Sequence, residues 1–353
     1  MKAIVYHRYG PPDVLTLADV PKPVPRSNEV LVRIYATTVT SGDWRARSLQ
    51  LPAGFGFMAR PVFGFFRPRQ PILGTELAGV IEAVGSAVTQ FRIGDEVFAF
   101  TGAKMGCHAE YRAIAEDGLI ALKPAGLSFE EAAALSFGGT TALSFLQGKG
   151  GIKSGDNVLI VGASGSVGSA AVQIARHFGA TVTGVCSTTN LELVGSLGAD
   201  EVIDYTAVDF ATTGETYDII LDTTGTTPLS RVDGSLRPGG RLLLALSTMA
   251  QALGLERPSK DSGKKVIAGV AAVVSEDLHM LADLAEAGEF LPVLDRSYPL
   301  ENAAEAHAYV DKRRKRGNVV LTIARPTERH ALRNGEATEA ANGGTHRAAD
   351  MTT

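Results

Sequence analysis

Residues 157–161 read NVLIV, residues 162–168 read GASGSVG, and VGSAAVQIARHFGA continues from Val167 to Ala180. A short apolar run with β-branched residues predicts a buried strand. The apolar residues that follow the glycines recur at helical spacing, and TVTGVCS at Thr181–Ser187 reads as a second strand. Strand, tight turn, helix and strand in that order make a βαβ unit with its turn at the carboxyl end of the first strand. Glycine serves two purposes there. It lets the backbone come close to a ligand, and it leaves no Cβ between helix and strand. The helix that follows offers unpaired N–H groups and a partial positive charge, which suit a pyrophosphate. A plain structural turn is the alternative, but the full unit favours a dinucleotide, so Gly162, Ala163, Ser164, Gly165, Ser166, Val167 and Gly168 are assigned to it.

The next strand ends where an NAD-selective site carries an acid for the ribose 2′-hydroxyl. Here the residues are Cys186, Ser187, Thr188, Thr189 and Asn190. These small polar groups suit a 2′-phosphate, so NADPH is expected in preference to NADH. Ser187, Thr188 and Asn190 are candidate contacts, with Tyr205 as a further partner. No arginine stands in this stretch to pair with the phosphate, and ordinary strand-end hydrogen bonding is the competing explanation for Ser187 and Thr188.

Working outward, residues 1–127 consist of short β-branched runs broken by Gly, Pro and Asp, which predicts a mainly β region. From about Ser128 helices and strands alternate, which predicts an α/β region with a doubly wound parallel sheet over 128–275. The closing strand-like NVVLTIA returns toward the first region, giving a discontinuous domain of 1–127 and 276–325. Residues 326–353 are polar and free of aromatic residues, and are expected to be a disordered tail. Residues 49–70, LQLPAGFGFMARPVFGFFRPRQ, hold five phenylalanines and no acid. They read as a loop filling a local core, as an apolar cover over a substrate pocket, or as a membrane-surface contact.

Composition narrows the function. With 353 residues, 45% hydrophobic and 20% charged, the chain is ordinary for a globular protein of about two domains. Its 34 basic and 38 acidic residues give a formal charge of -4, with no attraction for a nucleic-acid backbone. Cys107 and Cys186 are too few for a disulfide framework or a four-thiolate zinc site. No signal peptide and no apolar run of about 20 residues is present, so a cytoplasmic protein without a membrane span is expected.

Several separated motifs carry a family resemblance: the MKAIVY start, EVLVRIYATTVTSGDW, PILGTELAGVIEAVG, GDEVFAF from Gly94, AEYRAI, AAALSFGGTTAL, GASGSVG, GADEVIDY, LDTTG, LRPGGRLLLAL and YPLENAAEAHAYVDKRRKRGNVVLTI. Together they resemble the medium-chain dehydrogenase/reductase superfamily, and within it the zinc-free quinone oxidoreductase-like branch, from Met1 to about Ala324. The resemblance implies a GroES-like mainly β catalytic domain, a Rossmann domain, a nicotinamide cofactor in the cleft between them, and a homodimer. It places Thr141 near the nicotinamide. Thr224 and Leu246 follow buried-looking strands and are expected to line the cofactor groove.

Zinc-dependent relatives carry a Cys and a His where this chain has Thr40 and Thr75, and threonine is a poor zinc ligand. Adjacent Cys107 and His108 match a strand entry of the family rather than a ligand pair, so no metal is expected. Without a Lewis acid, hydride acceptors that spread charge are favoured, namely quinones and α,β-unsaturated carbonyls of apolar character. Thr40 or Arg45 is the expected donor to the substrate oxygen, with Trp44 as a wall. The alternative is an Asp43–Arg45 ion pair with Trp44 in the core. Other readings are a zinc-free alcohol or carbonyl dehydrogenase and a non-catalytic NADPH-binding sensor. The basic run Lys312–Arg316 reads as solvated surface rather than as a phosphate contact.

Overall fold

The computed structural model describes residues 1–323, so the tail expected at 326–353 lies outside the described residues. The strands are β1 (Lys2–Val5), β2 (Thr16–Asp19), β3 (Glu29–Thr38), β4 (Glu76–Val84), β5 (Glu96–Phe100), β6 (Tyr111–Ala115), β7 (Ile120–Leu122), β8 (Asn157–Val161), β9 (Thr181–Cys186), β10 (Glu201–Asp204), β11 (Tyr217–Asp222), β12 (Leu236–Leu244), β13 (Lys265–Ala268), β14 (Leu294–Pro299) and β15 (Asn318–Thr322). The helices are α1 (Ser41–Ser48), α2 (Gly56–Phe63), α3 (Phe129–Ala133), α4 (Ser136–Leu143), α5 (Ser166–His177), α6 (Leu191–Ser196), α7 (Leu229–Val232), α8 (Met249–Ala252), α9 (Ser275–Glu286) and α10 (Ala303–Asp311).

Six parallel strands form one sheet in the order β10-β9-β8-β11-β12-β13. Counted within the sheet this is 3-2-1-4-5-6, the doubly wound dinucleotide-binding order. The direction of winding reverses between β8 and β11, which opens a crevice beyond their carboxyl ends. Helices cover both faces of such a sheet, so its central strand is apolar throughout. Accordingly Val158, Leu159 and Ile160 of β8 are fully buried. Leu159, Val161, Val185, Ile220, Leu242 and Leu244 share one core cluster.

The second sheet runs β14-β15-β3-β4-β5-β7, with β6 also on β3, and is antiparallel except for the β14–β15 pair. Its centre is β3, whose β-branched and aliphatic residues are buried from Val30 to Val32 and again from Ile34 to Thr38. The chain's last described strand lies beside it, with Val320 opposite Thr38 and Thr322 opposite Ala36. A separate hairpin pairs β1 with β2.

Ser128 starts α3 with a capping box, its hydroxyl accepting from Glu131 N–H while the Glu131 carboxylate accepts from Ser128 N–H. The next helix, α4, packs on the opening of α5. A Cβ on Gly138 would lie 2.6 Å from the Ser166 carbonyl oxygen, so glycine is what lets these helices approach.

Candidate active site

The glycine-rich turn follows β8 directly. Gly162 has φ +82°, and a Cβ there would meet Thr224 Cγ2 at 2.5 Å. At Gly168 a Cβ would lie 2.0 Å from the Gly162 carbonyl oxygen, so this glycine is required by helix–strand packing. Gly165 differs. It is the N-cap of α5 in extended conformation, and a Cβ there would meet nothing closer than 3.5 Å. That leaves open space over the N–H groups that begin α5, which have no partner within the helix. The cradle fits a pyrophosphate. Two bonds with the residues around the start of β15 brace it: Gly317 N–H donates to Ser164 O at 2.8 Å, and the Ser166 hydroxyl donates to Asn318 Oδ1 at 2.6 Å.

Across the crevice, β11 ends at Asp222, which is fully buried. One carboxylate oxygen accepts from the N–H and hydroxyl of Thr224 and from Gly225 N–H, and the other accepts from Thr227 N–H. This fixes the loop that carries Thr224, while Gly225 (φ +75°) lies against Leu246 after β12. Thr224 and Leu246 therefore lie on neighbouring loops at the crevice. Thr141 sits inside α4 and donates its hydroxyl to Phe137 O at 2.7 Å, so it is not a helix cap.

At the end of β9, Ser187 accepts from Asn190 Nδ2 at 3.0 Å and lies 3.4 Å from the Thr189 hydroxyl. Thr188 donates to Asp204 Oδ2 at 2.6 Å. Sequence reading missed this acid because it stands at the end of β10, a strand removed from the expected position. It closes β10 in the neighbouring register, Asp204 facing Cys186. Hydrogen bonds from Thr188 and Thr206 hold its carboxyl below the usual carboxylate range. Tyr205 is 59% exposed beside it, joined to Cys186 O only through its backbone. The carboxyl end of β9 therefore carries an anionic carboxylate next to its small polar groups.

In the other sheet's region, two residues after β3, Thr40 caps α1. Its backbone N–H and hydroxyl donate to Asp43 Oδ2 at 2.8 and 2.6 Å, and its oxygen accepts from Asp43 N–H. The other Asp43 oxygen accepts from Gly74 N–H at 2.9 Å. The Asp43–Arg45 ion pair weighed from sequence is absent, because that carboxylate is occupied. Arg45 is half-buried and faces the Trp44 ring at 5.3 Å, and Arg313 faces the same ring at 4.5 Å. Burial, with Arg313 nearby, lowers the Arg45 pKa. Trp44 itself lies in a core cluster with Tyr6, Val39 and Leu73.

The Thr40 and Thr75 hydroxyl oxygens are 3.3 Å apart. A Cβ on Gly42 would touch Thr40, Thr75 and Phe137, so these four residues meet at one spot. Beside them, Glu76 is fully buried at the start of β4. Its carboxylate accepts from the Thr38 and Ser136 hydroxyls and from Phe137 N–H, tying the second sheet to α4. Burial pushes its pKa up to about 7 against those three donors. The set does not suit zinc. Two hydroxyls replace thiolate and imidazole, both Asp43 oxygens are committed, and no group of three or more His, Cys, Asp or Glu side chains able to hold a metal occurs among the described residues.

Most of the basic run is exposed, as expected for surface, but Lys315 turns inward. Its ammonium donates to Gly317 O, beside the braced turn. Burial lowers its pKa to about 8, with Glu76 and Asp295 opposing. A single inward lysine in a run of five basic residues leaves no mark in the sequence.

Family models match the chain in two places: the alcohol dehydrogenase GroES-like domain over residues 26–124 and a zinc-binding dehydrogenase domain over residues 197–321. Quinone oxidoreductase from Sus scrofa is 34% identical over 92% of this chain and 98% of its own length. A 2-methylene-furan-3-one reductase from Solanum lycopersicum is 34% identical over 91% of this chain and 79% of its own. The chain is a medium-chain dehydrogenase/reductase of the quinone oxidoreductase-like branch. The structure of quinone oxidoreductase from Coxiella burnetii superimposes with a TM-score of 0.80 at 30% identity, covering 92% of this chain and 99% of that one. A structure titled NAD-dependent alcohol dehydrogenase matches with a TM-score of 0.78, also at 30% identity. The two sheets are thus the GroES-like and Rossmann parts of a pyridine-nucleotide oxidoreductase. The zinc-binding match begins beyond Thr40 and Thr75, and so does not bear on the residues that would have to hold a catalytic metal.

Proposed function

We propose that this medium-chain reductase uses NADPH, without a metal, to reduce quinones or α,β-unsaturated carbonyls. The observation that carries the reading is the Thr40–Thr75 pair, which stands where zinc relatives hold ligands. When bound, the nicotinamide supplies the hydride. The chain must then hold the acceptor, exclude water and stabilise the charge that develops on oxygen. A conjugated acceptor delocalises that charge and needs less help than a simple ketone. Hydroxyl donors are adequate for it.

The hydrogen bonds distinguish the two threonines. The Thr40 proton is directed at Asp43, so the one proton of the pair not held by a carboxylate is that of Thr75, which faces Thr40 Oγ1 over 3.3 Å and is free to turn to a substrate oxygen. Thr40 serves as its neighbour and orients it. Glu76, held by three donors, fixes the strand that carries Thr75. Arg45 and Arg313 on the Trp44 ring add positive potential to this wall. The cradle at 162–168 takes the pyrophosphate, with Lys315 close by. Ser187, Thr188, Asn190 and Tyr205 are proposed to take the 2′-phosphate, and Asp204 limits the preference for it. We assign a homodimer and a cytoplasmic location on the same reading.

The deciding experiment follows NADPH and NADH oxidation by chelator-treated enzyme with a quinone, a linear enone and a saturated ketone. Turnover of the quinone or enone alone supports the proposal. Turnover of the ketone favours a carbonyl dehydrogenase, and cofactor binding without turnover favours a sensor.

A further inference from the structure

Residues 49–70 divide their aromatic residues sharply. Phe63 packs against the core cluster around Trp44, while Phe57, Phe65 and Phe66 are 75%, 54% and 96% exposed. Val62 between them is exposed as well. The exposure belongs to a braced segment. Met249 N–H donates to Ala53 O at 2.9 Å, the Tyr9 hydroxyl donates to Gly64 O at 2.9 Å, and Arg69 N–H donates to Phe63 O at 2.8 Å. Arg60 also closes onto Phe65 O at 2.6 Å. The aromatic rings are therefore held outward by backbone contacts. Leu253 and Leu255, just after α8, are exposed too, on the segment whose Met249 bonds Ala53. Exposed rings gathered on one braced segment are the kind of apolar surface that marks an interaction site.

Its charge identifies the partner. Arg60, Arg67 and Arg69 are exposed among the rings, and no Asp or Glu occurs from Leu49 to Gln70, although the whole chain is net negative. Exposed aromatic and aliphatic side chains interleaved with arginine match the bilayer interface, where rings sit at headgroup depth and guanidinium groups meet lipid phosphates. A protein partner would have to supply a matched acidic rim. A bilayer supplies it without specific geometry. The position also suits this partner: α8 begins three residues after Leu246, so the face adjoins the cofactor groove.

We propose that this face docks the enzyme on an anionic lipid surface, with the mouth of the cleft turned toward the bilayer. Resting on the reductase reading above, it follows that lipid-dissolved quinones or enones with long apolar tails are the substrate class that uses this approach.

The test is flotation of the full chain with vesicles of phosphatidylglycerol and phosphatidylcholine, and with phosphatidylcholine alone. Two triple variants accompany it, Phe57→Ser/Phe65→Ser/Phe66→Ser and Arg60→Gln/Arg67→Gln/Arg69→Gln. Thermal melting and cofactor fluorescence check that each variant is folded. The expected result is flotation with anionic vesicles that weakens with salt and falls at least tenfold in either variant. Failure of the wild-type chain to float with anionic vesicles overturns the proposal, as does equal flotation of the aromatic variant. An oligomer that the aromatic substitutions dissolve, without vesicle binding, also overturns it by making a second copy the occupant. The readout is independent of turnover: flotation without quinone reduction defeats only the reductase reading, and reduction without flotation defeats only the docking.

Discussion

Ser166 at the opening of α5 donates its hydroxyl to Asn318 at the opening of β15, over 2.6 Å and across 152 residues of chain. The bond joins the glycine-rich turn to a strand of the other sheet, and Gly317 N–H to Ser164 O repeats the link alongside it. Asn318→Ala removes one side of this brace and also the bond from Asn318 Nδ2 to Val293 O. We expect stability to fall by about 1–2 kcal/mol. Fluorescence titration should show the cofactor Kd rising about fivefold.

The glycines of the turn separate by their surroundings. Gly168→Ala places a methyl 2.0 Å from a backbone oxygen and should lower thermal stability strongly. Gly165→Ala fits the fold but fills the space over the α5 N-terminus. It should melt near the wild-type temperature while the cofactor KM rises at least about tenfold. Equal melting of the two variants contradicts this account.

Asp204 accepts the Thr188 proton and repels a 2′-phosphate bound beside it. Asp204→Asn should raise the ratio of kcat/KM for NADPH over NADH by about five- to tenfold. An unchanged ratio places the 2′-phosphate elsewhere.

Thr75→Val should reduce kcat by roughly a hundredfold, the scale of a lost oxyanion donor, with cofactor Kd unchanged. Thr75→Ser should restore most of it. Thr40→Val should act on stability as well, because it removes a helix cap worth about 1 kcal/mol.

Glu76 has its pKa raised to about 7, above the ordinary 4.5. Between those values the native state binds more protons than the unfolded state, so stability falls as pH rises and then levels off near neutrality. The ceiling on this slope is about 3 kcal/mol across the window. Glu76→Gln should flatten it, which urea titrations at pH 5 and pH 8 will show.

The sequence made the parallel α/β sheet and the glycine-rich turn after β8 legible, because strand, turn and helix leave periodic marks. The polar end of β9 was equally plain. Asp204, Lys315 and the role of Thr75 were not, since each depends on which neighbour a strand or loop meets in space. Asp204 reaches Thr188 only through the β9–β10 register, and Lys315 turns inward from a run that looks uniformly solvated. The aromatic residues of 49–70 do not all fill a local core. Phe63 joined the core and its neighbours remained outside, a split that composition cannot express.

The insertion of β15 between β14 and β3 also orders events during synthesis. All strands of the parallel sheet lie between Asn157 and Ala268, so that sheet is complete while the last segment is still in the ribosome. The sheet that carries Glu76 was begun first and must wait, with Ala36–Thr38 of β3 unpaired beside the stretch that β6 covers, until Thr322 emerges. Its open edge is then the aggregation-prone stage of biogenesis, and shortening the chain before Asn318 would make that stage permanent.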